Sequence, residues 1–148
     1  MRSFVRAANF NVMDAVKTLM RIVMGVALIG AGIAHLTFQR VEFQAQVPDW
    51  FPLDEDFVVI GSGIVEIALG LAAILIVRHK ALVGWTIAAF FVVIFPGNLW
   101  QWIEGKDAFG LDTDAKRFGR LFLQPVFIAI ALYATNAWTN RPFRNDKH

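Results

Sequence analysis

Cysteine is absent from the 148-residue sequence, so within this chain there is no disulfide, no thiolate nucleophile and no Cys-ligated zinc or iron–sulfur centre. Any redox role would need a borrowed cofactor. Charge is scarce too: charged residues make up 18% of the chain, against about 25% in soluble proteins. The net charge of +2 is too small to suggest nucleic acid. Of the three histidines, His35 alone falls in an apolar stretch, so no haem or other metal ligand set is expected and no covalently bound cofactor is implied. Repeats and low-complexity tracts are missing as well.

What is present is apolar. Hydrophobic residues form 57% of the sequence, above the 45 to 50% or so of soluble chains, and this predicts a membrane protein. Residues 57–77 are the central stretch, apolar and small except for Glu66. As a helix they extend roughly 30 Å, the thickness of a bilayer's hydrocarbon core. A carboxylate in the middle of such a span is costly, by a few kcal/mol on insertion scales, and needs a partner inside a bundle. Gly63 and Gly70 share its helical face, where missing side chains admit a neighbouring helix or a ligand.

Residues 1–18 carry Arg2, Arg6 and Lys17 against Asp14 and read as a cytoplasmic amphipathic helix on the membrane surface. The first span, residues 19–38, has Arg21 near its start, placed to snorkel to the interface. Its length of about twenty residues suits a span better than a secretory signal. Gly25, Gly32 and His35 share a face. Residues 40–56 form an acidic loop whose centre, Val47-Pro48-Asp49-Trp50-Phe51-Pro52, cannot be a regular helix. Trp50 and Phe51 suit an interfacial belt. After the second span, the Arg78-His79-Lys80 turn sends the third, residues 81–102, back antiparallel. Phe95-Pro96-Gly97-Asn98 interrupts that span and predicts a kink, because Pro96 cannot donate to the Val92 carbonyl. Asp112-Thr113-Asp114 supplies helix-capping residue types before the fourth span, residues 120–138. Residues 139–148 form a basic cytoplasmic tail.

The expected fold is all-α: a four-helix transmembrane bundle, both termini inside, with a kinked third helix, forming one membrane domain over residues 19–138. The N-terminal segment, the short turn and the tail hold eight Lys or Arg, nine with Arg21, whereas the two long loops hold five with nine acids. The positive-inside rule therefore places both termini in the cytoplasm and both long loops outside an inner, cytoplasmic membrane.

Counted by depth, His35, Asn98, Arg120 and Gln124 fall in the outer half of the spans, with Glu66 deepest, roughly 14 Å below the start of its helix. Together with Gly32, Phe38, Gly63, Phe95, Trp100 and Trp102 as lining, they predict an outward-opening pocket, mostly apolar with a few convergent polar groups. Plainer readings exist. Glu66 could be a neutral acid bonded to His35 or Asn98 that holds the bundle together, and Arg120 an interfacial anchor. Trp85, Trp100, Trp102 and Trp138 sit where belt tryptophans are expected. The agreement in depth is what favours a site.

The runs Ala31-Gly32-Ile33-Ala34-His35-Leu36, Val47-Pro48-Asp49-Trp50-Phe51-Pro52, Gly63-Ile64-Val65-Glu66 with Gly70, Pro96-Gly97-Asn98 and Arg120 to Pro125, in this order and spacing, resemble the DoxX family of small bacterial four-helix membrane proteins. The resemblance covers residues 16–138, and the family's recurring polar positions map onto His35, Glu66, Asn98, Arg120 and Gln124. It implies a link to a thiosulfate:quinone oxidoreductase subunit and to thiol-oxidative-stress complexes. The missing cysteine argues against direct thiol exchange. Two functions are therefore expected as alternatives. In one, the pocket binds a quinone-like or lipid molecule in a redox-linked role. In the other, the chain is an accessory subunit or assembly factor of a larger membrane complex, or packs as a homo-oligomer.

Overall fold

The computed structural model describes residues 2–140, with side chains from Val12 onward. No strand occurs among them. Helix α1 is Arg2–Leu36, α2 Arg40–Gln44, α3 Glu55–Leu75, α4 Lys80–Ile103, α5 Asp114–Leu121 and α6 Leu123–Ala134. Four segments are long and apolar enough to cross a membrane: Val12–Leu36, Glu55–Leu75, Lys80–Ile103 and Asp114–Ala134. The chain is a multi-pass, all-helical membrane protein. Valines 23, 26 and 93 are more than half exposed in the isolated bundle, as expected where acyl chains take the place of water.

Several boundaries differ from expectation for local reasons. Neither glycine nor proline occurs before Gly25, so nothing separates residues 1–18 from the first span, and α1 is one 35-residue helix rather than a surface helix followed by a span. Helix α3 starts two residues early because Asp54 caps it, accepting from the backbone N–H of Asp56 at 3.0 Å and Phe57 at 3.2 Å. Helix α4 runs through Pro96 without a break. The fourth span starts at Asp114 under a Thr113 cap rather than at Arg120 and is divided at Phe122. Pro125 accounts for that joint, since it cannot donate to the Leu121 carbonyl four residues back. Of the basic tail, residues 141–148 lie outside the described residues.

Helix α1 packs along α3, α4 along α6, and contacts of α1 with α6 and of α3 with α4 close the bundle. The main apolar core takes Leu28 from α1, Leu69 and Ala73 from α3, Ile87 and Phe91 from α4 and Ala131 from α6. At the end near the α3–α4 turn, Arg21 is buried rather than snorkelling, and its guanidinium donates to the carbonyls of Ala73 and Ile74 in the last turn of α3. A cation there satisfies carbonyls that have no helical partner and opposes the negative end of the helix dipole.

The two long loops meet at the opposite end. Lys106 Nζ lies 2.8 Å from Asp49 Oδ1, and the Phe109 N–H donates to Glu42. Arg40 makes a two-pronged pair with Asp56, which also accepts from Gln44, so α2 is fastened to the start of α3. Val47 is buried, while Trp50 and Phe51 are exposed.

Candidate functional site

The polar residues occupy the loop half of the bundle, beyond the apolar core. Their positions start from four glycines. Gly25 of α1 opposes Gly70 of α3, and Gly32 opposes Gly63. A Cβ on Gly32 would stand 2.5 Å from the Gly63 carbonyl oxygen, and one on Gly70 2.5 Å from the Gly25 carbonyl oxygen. The two backbones therefore touch over two helical turns, the close approach that small residues permit in membranes.

This approach seats His35 against Glu66, both buried, with Nδ1 2.7 Å from Oε2. The ring N–H, however, is directed at the Ala31 carbonyl, 2.9 Å away, and Oε2 has no aligned hydrogen bond despite its burial. The short distance establishes contact, and whether Nδ1 donates to Ala31 or accepts from Glu66 depends on the ring tautomer. The alternative arrangement has Glu66 protonated and donating to Nδ1. Both arrangements fit the same heavy-atom positions.

A second network joins α4, α5 and α6 to the loop after α2. Asn98 donates to the Gln124 side-chain oxygen, and Gln124 Nε2 donates to the Phe91 carbonyl at 2.8 Å. Gly97 has no side chain to hold off the loop: a Cβ there would be 2.6 Å from the Gln46 carbonyl oxygen. Gln46 consequently reaches the network. With its amide turned to suit the donors around it, its oxygen accepts from both terminal nitrogens of Arg120, at 2.8 and 2.7 Å. Gln101, fully buried, accepts from Arg120 Nη1 at 3.3 Å and donates to the Lys106 carbonyl at 3.2 Å.

The sequence pointed to neither Gln46 nor Gln101. Gln101 lies three residues after Asn98 on the same helical face and could have been found by the depth rule. Gln46 is an ordinary loop glutamine whose only signal is the glycine at position 97.

Aromatic rings connect the two polar sets. Phe43 of α2 stacks on His35 with centroids 3.3 Å apart, Phe109 meets Phe43 edge-on at 4.6 Å, and the Arg120 guanidinium lies 4.6 Å from the Phe109 centroid. Phe109 holds a φ of +57°, costly for a residue with a bulky side chain. That backbone turn delivers its N–H to Glu42 and its ring to Arg120.

Beside this ring ladder is a groove of about 380 Å³ with apolar walls from Ala31, Phe43, Phe109, Leu111 and Leu123 and polar groups from Gln39, Lys116 and Arg120. The expected lining is elsewhere. Gly32 and Gly63 face each other in the α1–α3 seam. Phe38 is 76% exposed beyond the end of α1. Phe95 is half-buried, as is Trp100, whose indole N–H has no partner. Trp102 packs on Phe118 at 5.2 Å. The difference arises because the groove opens between α1, α2 and the α5–α6 joint, and the depth count placed no residue of α2 or of the second loop. Of the five polar positions Arg120 reaches the groove directly, and His35 stands behind the Phe43 ring.

Residues 24–135 match DUF8561, a domain of unknown function, and the chain belongs to that family. No curated protein and no solved structure matches the chain.

Proposed function

We propose that this DUF8561 protein holds a small amphiphile, quinone-like or lipid, in the groove between α1, α2 and the α5–α6 joint, in a redox-linked role in which the His35–Glu66 pair takes up or releases a proton. The observation that carries this reading is the groove itself: apolar walls that end on a guanidinium at one side and, through Phe43, on a buried imidazole–carboxyl pair at the other. Its volume is within the range of small-molecule sites, and the mix of apolar walls with a few polar groups is the usual form of such sites. The resemblance to the DoxX family supplies the redox and quinone element. The charge bias of the sequence favours the inner membrane, with the loop end and the groove facing outward.

The test is organic extraction of protein purified in a mild neutral detergent, followed by mass spectrometry. A quinone or lipid should co-purify, and replacing Phe43 by alanine should reduce its amount. Protein that carries neither, and whose added-ligand binding is unchanged in the F43A and Glu66→Gln variants, rules this function out.

A further inference from the structure

The groove carries an unbalanced charge. Four bases lie between residues 106 and 120, and three have a carboxylate within reach: Lys106 with Asp49 at 2.8 Å, Lys116 with Asp112 at 2.6 Å, and Arg117 with Asp107 and, at 3.9 Å, Asp114. Arg120 has none among the described residues. It is half-buried inside a membrane-spanning segment, where a cation without an opposite charge is least tolerated. Its neighbours are the neutral amides of Gln46 and Gln101 and the face of Phe109. They fix its direction and leave its charge intact. Those bonds use the terminal nitrogens and leave Nε–H without a protein acceptor among the described residues, so the guanidinium fork still has a donor to offer. Lys116, one helical turn earlier on α5, lines the same groove, and its Asp112 partner is well exposed and therefore weakly held. No acid lines the groove.

We propose that the occupant is an anionic single-chain amphiphile, with its carboxylate or phosphate head on Arg120 and Lys116 and its chain along Phe43, Phe109, Leu111 and Leu123. This rests on the reading that the groove holds an amphiphile and adds the sign of its head. A bound anion neutralises the cation that the protein leaves unpaired. About 380 Å³ is near the low end for small-molecule sites, which suits one chain better than the two of a bilayer phospholipid.

Three ligands with the same chain and different heads decide the matter: oleate, oleoyl-lysophosphatidate and the uncharged monoolein. Each is added at equal concentration to purified protein in a neutral maltoside detergent, and the bound fraction is read by native mass spectrometry. At least one anionic ligand should bind about tenfold or more tighter than monoolein, the scale of one charge-assisted hydrogen bond. Arg120→Gln should remove that preference, and Arg120→Lys should retain part of it. Preference for oleate alone identifies a carboxylate, and for lysophosphatidate alone a phosphate. Monoolein binding as tightly as both anions overturns the anionic head and leaves the groove reading standing. No binding of any of the three overturns both. Should Arg120→Gln aggregate, the comparison of heads on the unaltered protein, together with Lys116→Gln, still gives the answer.

Discussion

A Cβ placed on Gly63 would lie 2.7 Å from the Cβ of His35, so the imidazole rests on Glu66 because residue 63 has no side chain. Gly63→Ala should therefore destabilise the bundle by about 1 to 3 kcal/mol, the usual scale of overpacking, and should also displace His35. Gly30 and Gly61 have open space around them, so Gly61→Ala is the control. Thermal unfolding in detergent measures the first effect, and the histidine ring resonances measure the second. A Gly63→Ala variant as stable as Gly61→Ala, with an unmoved imidazole, contradicts the seam.

His35 and Glu66 should behave as one unit. Removing the imidazole alone leaves a buried acid without its neighbour, and losses of about 3 to 5 kcal/mol are typical when one member of a buried pair is taken away. Glu66→Gln keeps the shape and should cost less. The double variant should differ from the sum of the single ones by about 0.5 to 3 kcal/mol. Additivity within error would show that the 2.7 Å contact has no energetic consequence.

Gln124 bridges Asn98 and the Phe91 carbonyl. Interhelical hydrogen bonds in membranes average only about 0.6 kcal/mol, but Gln124→Leu strands the buried Asn98 amide. The expected loss is nearer 1 to 3 kcal/mol for that reason. Asn98→Leu combined with Gln124→Leu should recover part of it. A single variant that loses less than either bound, with no recovery in the double, would place these amides in contact with water.

Because the chain has no cysteine, single introduced cysteines report orientation without background. D49C and K106C, at the joined loops, should react with a membrane-impermeant maleimide on intact spheroplasts. R78C, in the α3–α4 turn, should react only after permeabilisation. The reverse pattern would turn the proposed orientation over, and mixed labelling of D49C and K106C would separate the two loops.

Just before the fourth span, the Asp112 carboxyl is held below the ordinary carboxylate range, chiefly by a direct hydrogen bond from Lys116. A depressed folded value means that the stabilisation is present above the unfolded pKa, near 3.9, and is lost as pH falls through the folded value. A carboxyl-carbon NMR titration should show Asp112 titrating below its usual range, and Lys116→Gln should return it there. An unshifted midpoint in the unaltered protein would break the pairing.

The four spans were legible because each is a long apolar run whose ends are marked by local chemistry, and the second and third agree with the sequence to within about two residues. The fourth was misjudged because Asp114, Lys116 and Arg117 make its first turn look like a loop, although Thr113 caps it as a helix. Arg21 was misplaced for a related reason. A basic residue near a span end suggests the interface, and only tertiary structure brings the α3 carbonyls to it. Depth placed His35, Glu66, Asn98, Arg120 and Gln124 in one cluster, whereas the structure divides them into the His35–Glu66 pair and a network holding Asn98, Gln124 and Arg120. It could not show that Phe43 and Phe109 stand between the two sets, because their positions depend on a five-residue helix and on one left-handed backbone turn.

The paired glycines have a mechanical consequence. Gly25 fits only opposite Gly70 and Gly32 only opposite Gly63, so sliding either helix by one turn would drive side chains into carbonyls at two levels at once. The first and second spans must travel as a single plank. The joint at Phe122, by contrast, lies in the fourth span, away from this paired-glycine seam.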